Sequence, residues 1–136
     1  IAWSATNRSA LIRIPAAAGD AARMELRCPD AAANPYLTLA AILRAGLDGI
    51  RRQTAAPASV DCNIFHMSER ERRERNIEEL PGTLMEAVAC MEKDAFMKET
   101  LGSHVFEKYI ALKKEEWNRY RSQVTDWEIN EYLNQY

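Results

Sequence analysis

An α+β fold is expected for these 136 residues: a short antiparallel strand pair at the N-terminus, then a mainly helical remainder. Two stretches near the start, residues 9–14 and 23–27, have the alternation of strands, and the segment between them holds the turn formers Gly19 and Asp20. From Asn34 onward apolar residues recur at helical spacing behind residues suited to helix caps. With 47% hydrophobic residues the chain is long enough for one domain with a core and too short for two.

Residues 9–14 place Ala10, Ile12 and Ile14 on one side and Leu11 and Arg13 on the other, and Pro15 ends the pairing. Arg8 falls in the turn before this strand. Residues 16–22 return the chain into Arg23-Met24-Glu25-Leu26-Arg27, where Arg23, Glu25 and Arg27 share one face and Met24, Leu26 and Cys28 the other. A hairpin of this kind brings Arg13 beside the charged face, so that several charges converge. A carboxylate between guanidinium groups stays ionised at neutral pH and can take a cation that arrives with anionic oxygens for the arginines. The same five residues also describe an ordinary ion-paired strand facing water.

Asn34-Pro35 is a helix start, an N-cap side chain followed by proline at the first helical position. Residues 36–50 are apolar nearly all round, which predicts a helix over 34–52 buried on most sides, with Gly46 and Gly49 allowing close packing. Residues 53–82 read as a loop in which the charge run 69–75 is a solvated helical turn. Residues 83–136 read as helical: a capping box of Thr83 and Glu86, a short helix closed by Gly102, a longer one capped by Ser103, and a last one opened by Thr125 and Glu128. Phe106, Tyr109, Ile110, Trp117 and Tyr120 form a stripe suited to a core. Trp127, Ile129, Tyr132, Leu133 and Tyr136 require cover from this domain or a neighbouring subunit.

Composition removes several function classes. No long uncharged apolar run occurs, and Asn7, Arg8 and Arg13 interrupt the apolar start, so no membrane span or secretory signal is expected and the location is cytoplasmic. Cys28, Cys62 and Cys90 are odd in number and widely spaced, as reduced thiols are; with only His66 and His104 beside them a structural zinc site lacks ligands. The net charge of -2 hides an asymmetry: residues 1–52 carry 7 Arg against 4 Asp and Glu. The basic end suits a small anionic ligand, whereas nucleic acid would need a denser basic cluster.

The runs Asn7-Arg8-Ser9-Ala10-Leu11-Ile12-Arg13-Ile14-Pro15, Arg23-Met24-Glu25-Leu26-Arg27, Pro29-Asp30-Ala31-Ala32-Ala33-Asn34-Pro35-Tyr36 and Ala45-Gly46-Leu47-Asp48-Gly49-Ile50 together resemble the C-terminal part of the catalytic domain of bacterial type I glutamine synthetase. The likeness runs from Asn7 to the end, and the terminal Trp127-Glu128 to Gln135-Tyr136 is similar to the Bacillus-like, feedback-regulated form. The resemblance implies an enzyme that uses ATP to phosphorylate the side-chain carboxylate of glutamate and lets ammonia displace the phosphate, with Mg2+ or Mn2+ as cofactor. It implies Glu25 as a metal ligand, Arg27 and Arg8 as substrate-binding residues, and Arg8 and Arg13 as residues at the ATP phosphates. It also implies a two-ringed dodecamer with sites between subunits, a terminal helix packed into the opposite ring, and, in Bacillus-like members, contact with nitrogen-responsive transcription regulators.

Three departures from the family pattern stand out. No lysine lies between Arg13 and Glu25, where some members use one to hold ATP. Asp61-Cys62-Asn63-Ile64-Phe65 carries phenylalanine where other members carry an adenylylated tyrosine, so no adenylylation is expected there. The remaining metal carboxylates, the ammonia site and the earlier barrel strands lie upstream in the family; the chain opens on Ile1 and reads as a fragment inactive by itself. The competing reading is a non-catalytic helical interaction module that uses the aromatic C-terminal end.

Overall fold

The computed structural model describes residues 1–133, and they form two compact units, Ile1–Leu80 and a second that begins at Pro81. Where the composition predicts one core, each unit has its own small one. Ala2, Val60 and Ile77 are buried together in the first, with Ile64 and Met67 against them. Val88, Phe106 and Ile110 are buried in the second, backed by Leu84, Met85, Met91, Met97 and Leu101.

The expected antiparallel pair is present in shortened form and has a third partner. Strands β1 (Trp3–Ser4), β2 (Ile12–Arg13) and β3 (Glu25–Leu26) lie in the order β1-β2-β3. Strands β2 and β3 are antiparallel, with Ile12 opposite Leu26 and Arg13 opposite Glu25, and Arg27 N–H donates to Leu11 O at 2.9 Å. Strand β1 runs parallel to β2, with Trp3 opposite Ile12. Alternation cannot reveal a strand of two residues, so β1 has no signature in the sequence. Strand β2 starts later than expected because Asn7 Oδ1 accepts from the Ser9 N–H at 2.9 Å, which makes residues 7–9 a turn. Arg8 sits in that turn, as expected.

Helix α1 (Pro35–Arg51) begins where Asn34-Pro35 places it: Asn34 Oδ1 accepts from the N–H groups of Tyr36 and Leu37 at 3.0 and 3.2 Å. Its predicted burial is not found. No residue of α1 is buried, and Leu39, Leu43, Leu47 and Ile50 are 57%, 65%, 49% and 74% exposed. A Cβ on Gly46 or Gly49 would meet nothing within 4 Å, so neither glycine serves a close approach here. Apolarity records that a face has to be covered, not by what, and the described residues supply no cover.

Helix α2 (Glu69–Glu74) is the solvated turn read from the charge run, held by a Ser68–Glu71 capping box that the sequence reading did not assign. In the second unit α3 (Leu84–Glu92) begins at Thr83, whose Oγ1 accepts from Glu86 N–H at 3.2 Å. Glu86 reaches back to Gly82 N–H at 2.8 Å instead of Thr83 N–H, so only half of the expected box forms. Asp94 caps α4 (Ala95–Leu101). Gly102, at φ 73°, is the junction to α5 (Ser103–Arg121), so Ser103 is the first helical residue and not the cap. Thr125 and Glu128 form the full box that opens α6 (Asp126–Tyr132).

The stripe on α5 is core only in its first half: Phe106 and Ile110 are buried, whereas Tyr120 is 66% exposed. On α6, Trp127 and Tyr132 pack edge to face with ring centroids 5.9 Å apart, and both remain more than half exposed. Tyr136, counted on the same face, lies outside the described residues.

Candidate functional site

The β2–β3 hairpin divides the predicted site residues into two groups. Arg13 and Glu25 face each other across the register. Arg13 Nη1 donates to both carboxylate oxygens, at 3.1 and 3.0 Å, and Arg23 Nε donates to Oε1 at 3.0 Å. The side chains of Arg13 and Glu25 are 20% and 27% exposed, so the pair is partly withdrawn from water. The Nε of Arg13 is buried without a hydrogen-bond partner, an unmet donor of the kind an anionic oxygen satisfies.

Arg27 leaves this cluster. With Arg8 it lines a cavity of about 440 Å³ in the first unit, together with Ser9, Cys28, Phe65 and Arg72. Glu25 and Arg13 are not among the lining residues. The expected single convergence is therefore two adjacent ones: Arg13, Arg23 and Glu25 in an ion cluster, and Arg8 and Arg27 at the cavity. The Arg27 N–H to Leu11 O bond carries the ladder one pair past Leu26, and from there the Arg27 side chain lines the cavity and makes no bond to the Glu25 carboxylate among the described residues. Glu25 and Arg27 hang from the same arm of the hairpin, with only Leu26 between the carboxylate and the cavity arginine, while Arg8 comes from the turn before β2.

Glu25 is held below its ordinary 4.5, first by the hydrogen bonds from Arg13 and then by Arg23, against partial desolvation. A carboxyl lowered on folding stabilises the native state above its unfolded pKa, and that contribution disappears as pH falls through the lower folded value. We expect the difference in urea midpoint between the full-length protein and its Glu25→Gln variant to be constant at neutral pH and to shrink below about pH 4.5. A difference unchanged down to pH 3 would mean that the ion cluster contributes nothing.

Glu25 suits a magnesium or manganese ion as an ionised hard-oxygen donor. Both of its oxygens are engaged by guanidinium groups, and no cluster of three or more His, Cys, Asp or Glu suited to a metal occurs among the described residues. Oε1 accepts two guanidinium bonds and Oε2 one, which leaves Oε2 the freer oxygen of the carboxylate.

Sequence reasoning missed two features. Arg72, placed in a run given no chemistry, reaches the cavity and pairs with Glu79 at 2.8 Å. A network of Ser4, Asn7, Ser9 and Asp61 holds the turn that carries Arg8. Short polar residues around a turn are a weak local signal, and nothing local marks the distant half of this network.

Comparison with known proteins agrees with the hairpin motifs. Residues 1–132 match the family model described as glutamine synthetase, catalytic domain. Over 136 residues the chain is 53% identical to glutamine synthetase of Clostridium saccharobutylicum, covering 100% of this chain and 31% of that protein. It is 50% identical to the Thermus thermophilus enzyme over 136 residues, covering 100% and 30%. An archaeal glutamine synthetase, from Methanococcus voltae, is 49% identical over 133 residues, covering 98% and 30%. Among solved structures, apo GmaS without ligand superposes with a TM-score of 0.76 at 41% identity, covering 94% of this chain and 28% of that one. The chain thus spans about a third of the length of the relatives it matches. With the family model matched over residues 1–132 and relatives 50% and 53% identical over 136 residues, this chain belongs to the glutamine synthetase catalytic-domain family.

Proposed function

We propose that this chain is a C-terminal segment of a glutamine synthetase and supplies one wall of a site that joins ammonia to glutamate at the expense of ATP. The observation that carries this is the pair of guanidinium groups, Arg8 and Arg27, at one cavity and, next to Arg27 on the hairpin, an ionised carboxylate between two more. In the reaction the γ-phosphoryl of ATP passes to the side-chain carboxylate of glutamate, giving ADP and an acyl phosphate. Ammonia then attacks the acyl carbon, phosphate leaves with the bonding electrons, and glutamine remains after loss of a proton.

Arg27 binds the glutamate carboxylate and the phosphoryl group formed on it, and Arg8 stands beside the transferred phosphoryl group. Arg13 serves the ATP phosphates, and its unpartnered Nε is a donor left over from the Glu25 pairing. Fixed guanidinium groups around a transferring phosphoryl group stabilise the spreading negative charge without reorganising, which is the main source of catalysis in such sites. Glu25 is one ligand of a Mg2+ or Mn2+ site completed by carboxylates outside this chain; when bound, such an ion neutralises phosphate charge.

We also infer the family's wider properties for the full-length protein: a cytoplasmic dodecamer of the Bacillus-like, feedback-regulated form, without adenylylation at Phe65. Supporting features are the absence, among the described residues, of a helix long and apolar enough to cross a membrane, and the aromatic α6. The exposed Trp127 and Tyr132 also suit a second reading, a helical module that docks on partner subunits or on transcription regulators.

The test is an assay of the full-length protein and of the isolated chain with glutamate, ammonia, ATP and either metal. Glutamine from the full-length protein alone is the expected result. No glutamine from the full-length protein overturns the enzymatic reading, and glutamine from the isolated chain overturns the claim that it is one wall of a larger site.

A further inference from the structure

Arg8 is exposed and makes no side-chain hydrogen bond or ion pair among the described residues, so what this chain fixes is the backbone point from which its guanidinium reaches the cavity. That backbone is fastened to a distant part of the chain. The amide nitrogen of Asn7 donates to the carbonyl oxygens of Val60, at 3.2 Å, and Cys62. Its Oδ1 accepts from the N–H and the hydroxyl of Ser9 at 2.9 and 2.8 Å. Ser9 Oγ in turn accepts from Ile64 N–H at 3.0 Å. Ser4 has no exposed surface; it donates its hydroxyl to Asp61 at 2.6 Å and accepts from the N–H groups of Thr6 and Asn7 at 3.2 and 3.0 Å. These cross-links join residues 53 to 57 positions apart.

Only a short amide fits the position of Asn7. It needs two donors for the carbonyls and an acceptor for Ser9 at once; aspartate has no donors and alanine has neither. We propose that Asn7 is a positioning residue for the phosphoryl-transfer site: it clamps the Arg8 turn to the stretch 60–64 and so holds the Arg8 guanidinium at the cavity it shares with Arg27. This rests on the reading of Arg8 given under the proposed function. The stretch 60–64 is thereby part of the scaffold of the site, although it brings no charge to the cavity.

A residue that acts through Arg8 loses its effect once Arg8 is gone, whereas a residue that merely supports the fold does not. The experiment compares the full-length wild type, Asn7→Ala, Arg8→Ala and the double variant in glutamine formation, with KM for glutamate and for ATP measured separately. Asn7→Ala is expected to lower kcat/KM for glutamate about 10- to 100-fold in the wild-type background and less than about 2-fold in the Arg8→Ala background. Asn7→Asp keeps the acceptor for Ser9 but sets a carboxylate against the Val60 and Cys62 carbonyls, so it is expected to show at least the same loss together with a lowered thermal midpoint. Where turnover of Arg8→Ala is too slow to follow, glutamate binding by calorimetry closes the same cycle. Equal losses in both backgrounds, or an Asn7→Ala loss that only follows a falling thermal midpoint, overturn the positioning role. A wild type that makes no glutamine, or an Arg8→Ala that matches it, overturns the functional reading instead.

Discussion

Glu25→Gln in the full-length protein is expected to weaken divalent-cation binding and to cut glutamine formation by at least about 100-fold. The change preserves shape and removes the charge. It also turns an amide N–H2 toward Arg13 Nη1, now 3.0 and 3.1 Å from the two oxygens of Glu25, so a donor meets a donor on one side. Two physical roles predict different patterns. If Glu25 only ties strands β2 and β3 together, the variant loses stability and the metal concentration for half-maximal activity stays the same. If it is a metal ligand, that concentration rises steeply while the fold survives at neutral pH. Titrating activity against Mg2+ and against Mn2+, beside a thermal melt of each protein, separates the two; an unmoved metal dependence removes Glu25 from the metal site.

Arg27→Ala is expected to lower kcat/KM for glutamate about 100- to 1000-fold and to change ATP binding far less. Arg27 is exposed at the cavity edge, and its backbone N–H already donates to Leu11 O at 2.9 Å, a bond that alanine keeps. The hairpin therefore survives the substitution and only the guanidinium is lost. Arg27→Lys restores the charge without the planar two-pronged donor set and is expected to recover only part of the loss. Steady-state kinetics with each substrate varied in turn is the measurement. Equal losses for glutamate and ATP would contradict the assignment of Arg27 to the glutamate side.

The arginine of the ion cluster has a demand that the described residues do not meet, and the same is true of the long helix. Arg13 Nε is buried without a partner, and Leu39, Leu43, Leu47 and Ile50 of α1 lie uncovered. The chain spans about a third of its relatives' length, and neither this donor nor the apolar face of residues 36–50 finds its complement among the described residues.

Much of the local chemistry was legible in the sequence. Asn34-Pro35 opens α1, Thr125 and Glu128 open α6, and Gly102 turns the chain between α4 and α5, because each is satisfied within a few residues. The pairing of Arg13 with Glu25 was legible too, since a hairpin fixes its own register. Tertiary structure alone decided that β1 joins the sheet in parallel, that Arg27 turns to the cavity with Arg8 instead of staying beside Glu25, and that Asn7, Ser9 and Ser4 reach the stretch 60–64. The physical reason is range: a cap or a hairpin is closed by neighbours and leaves its mark in spacing, whereas contacts between residues more than fifty positions apart depend on a chain path that no local pattern records.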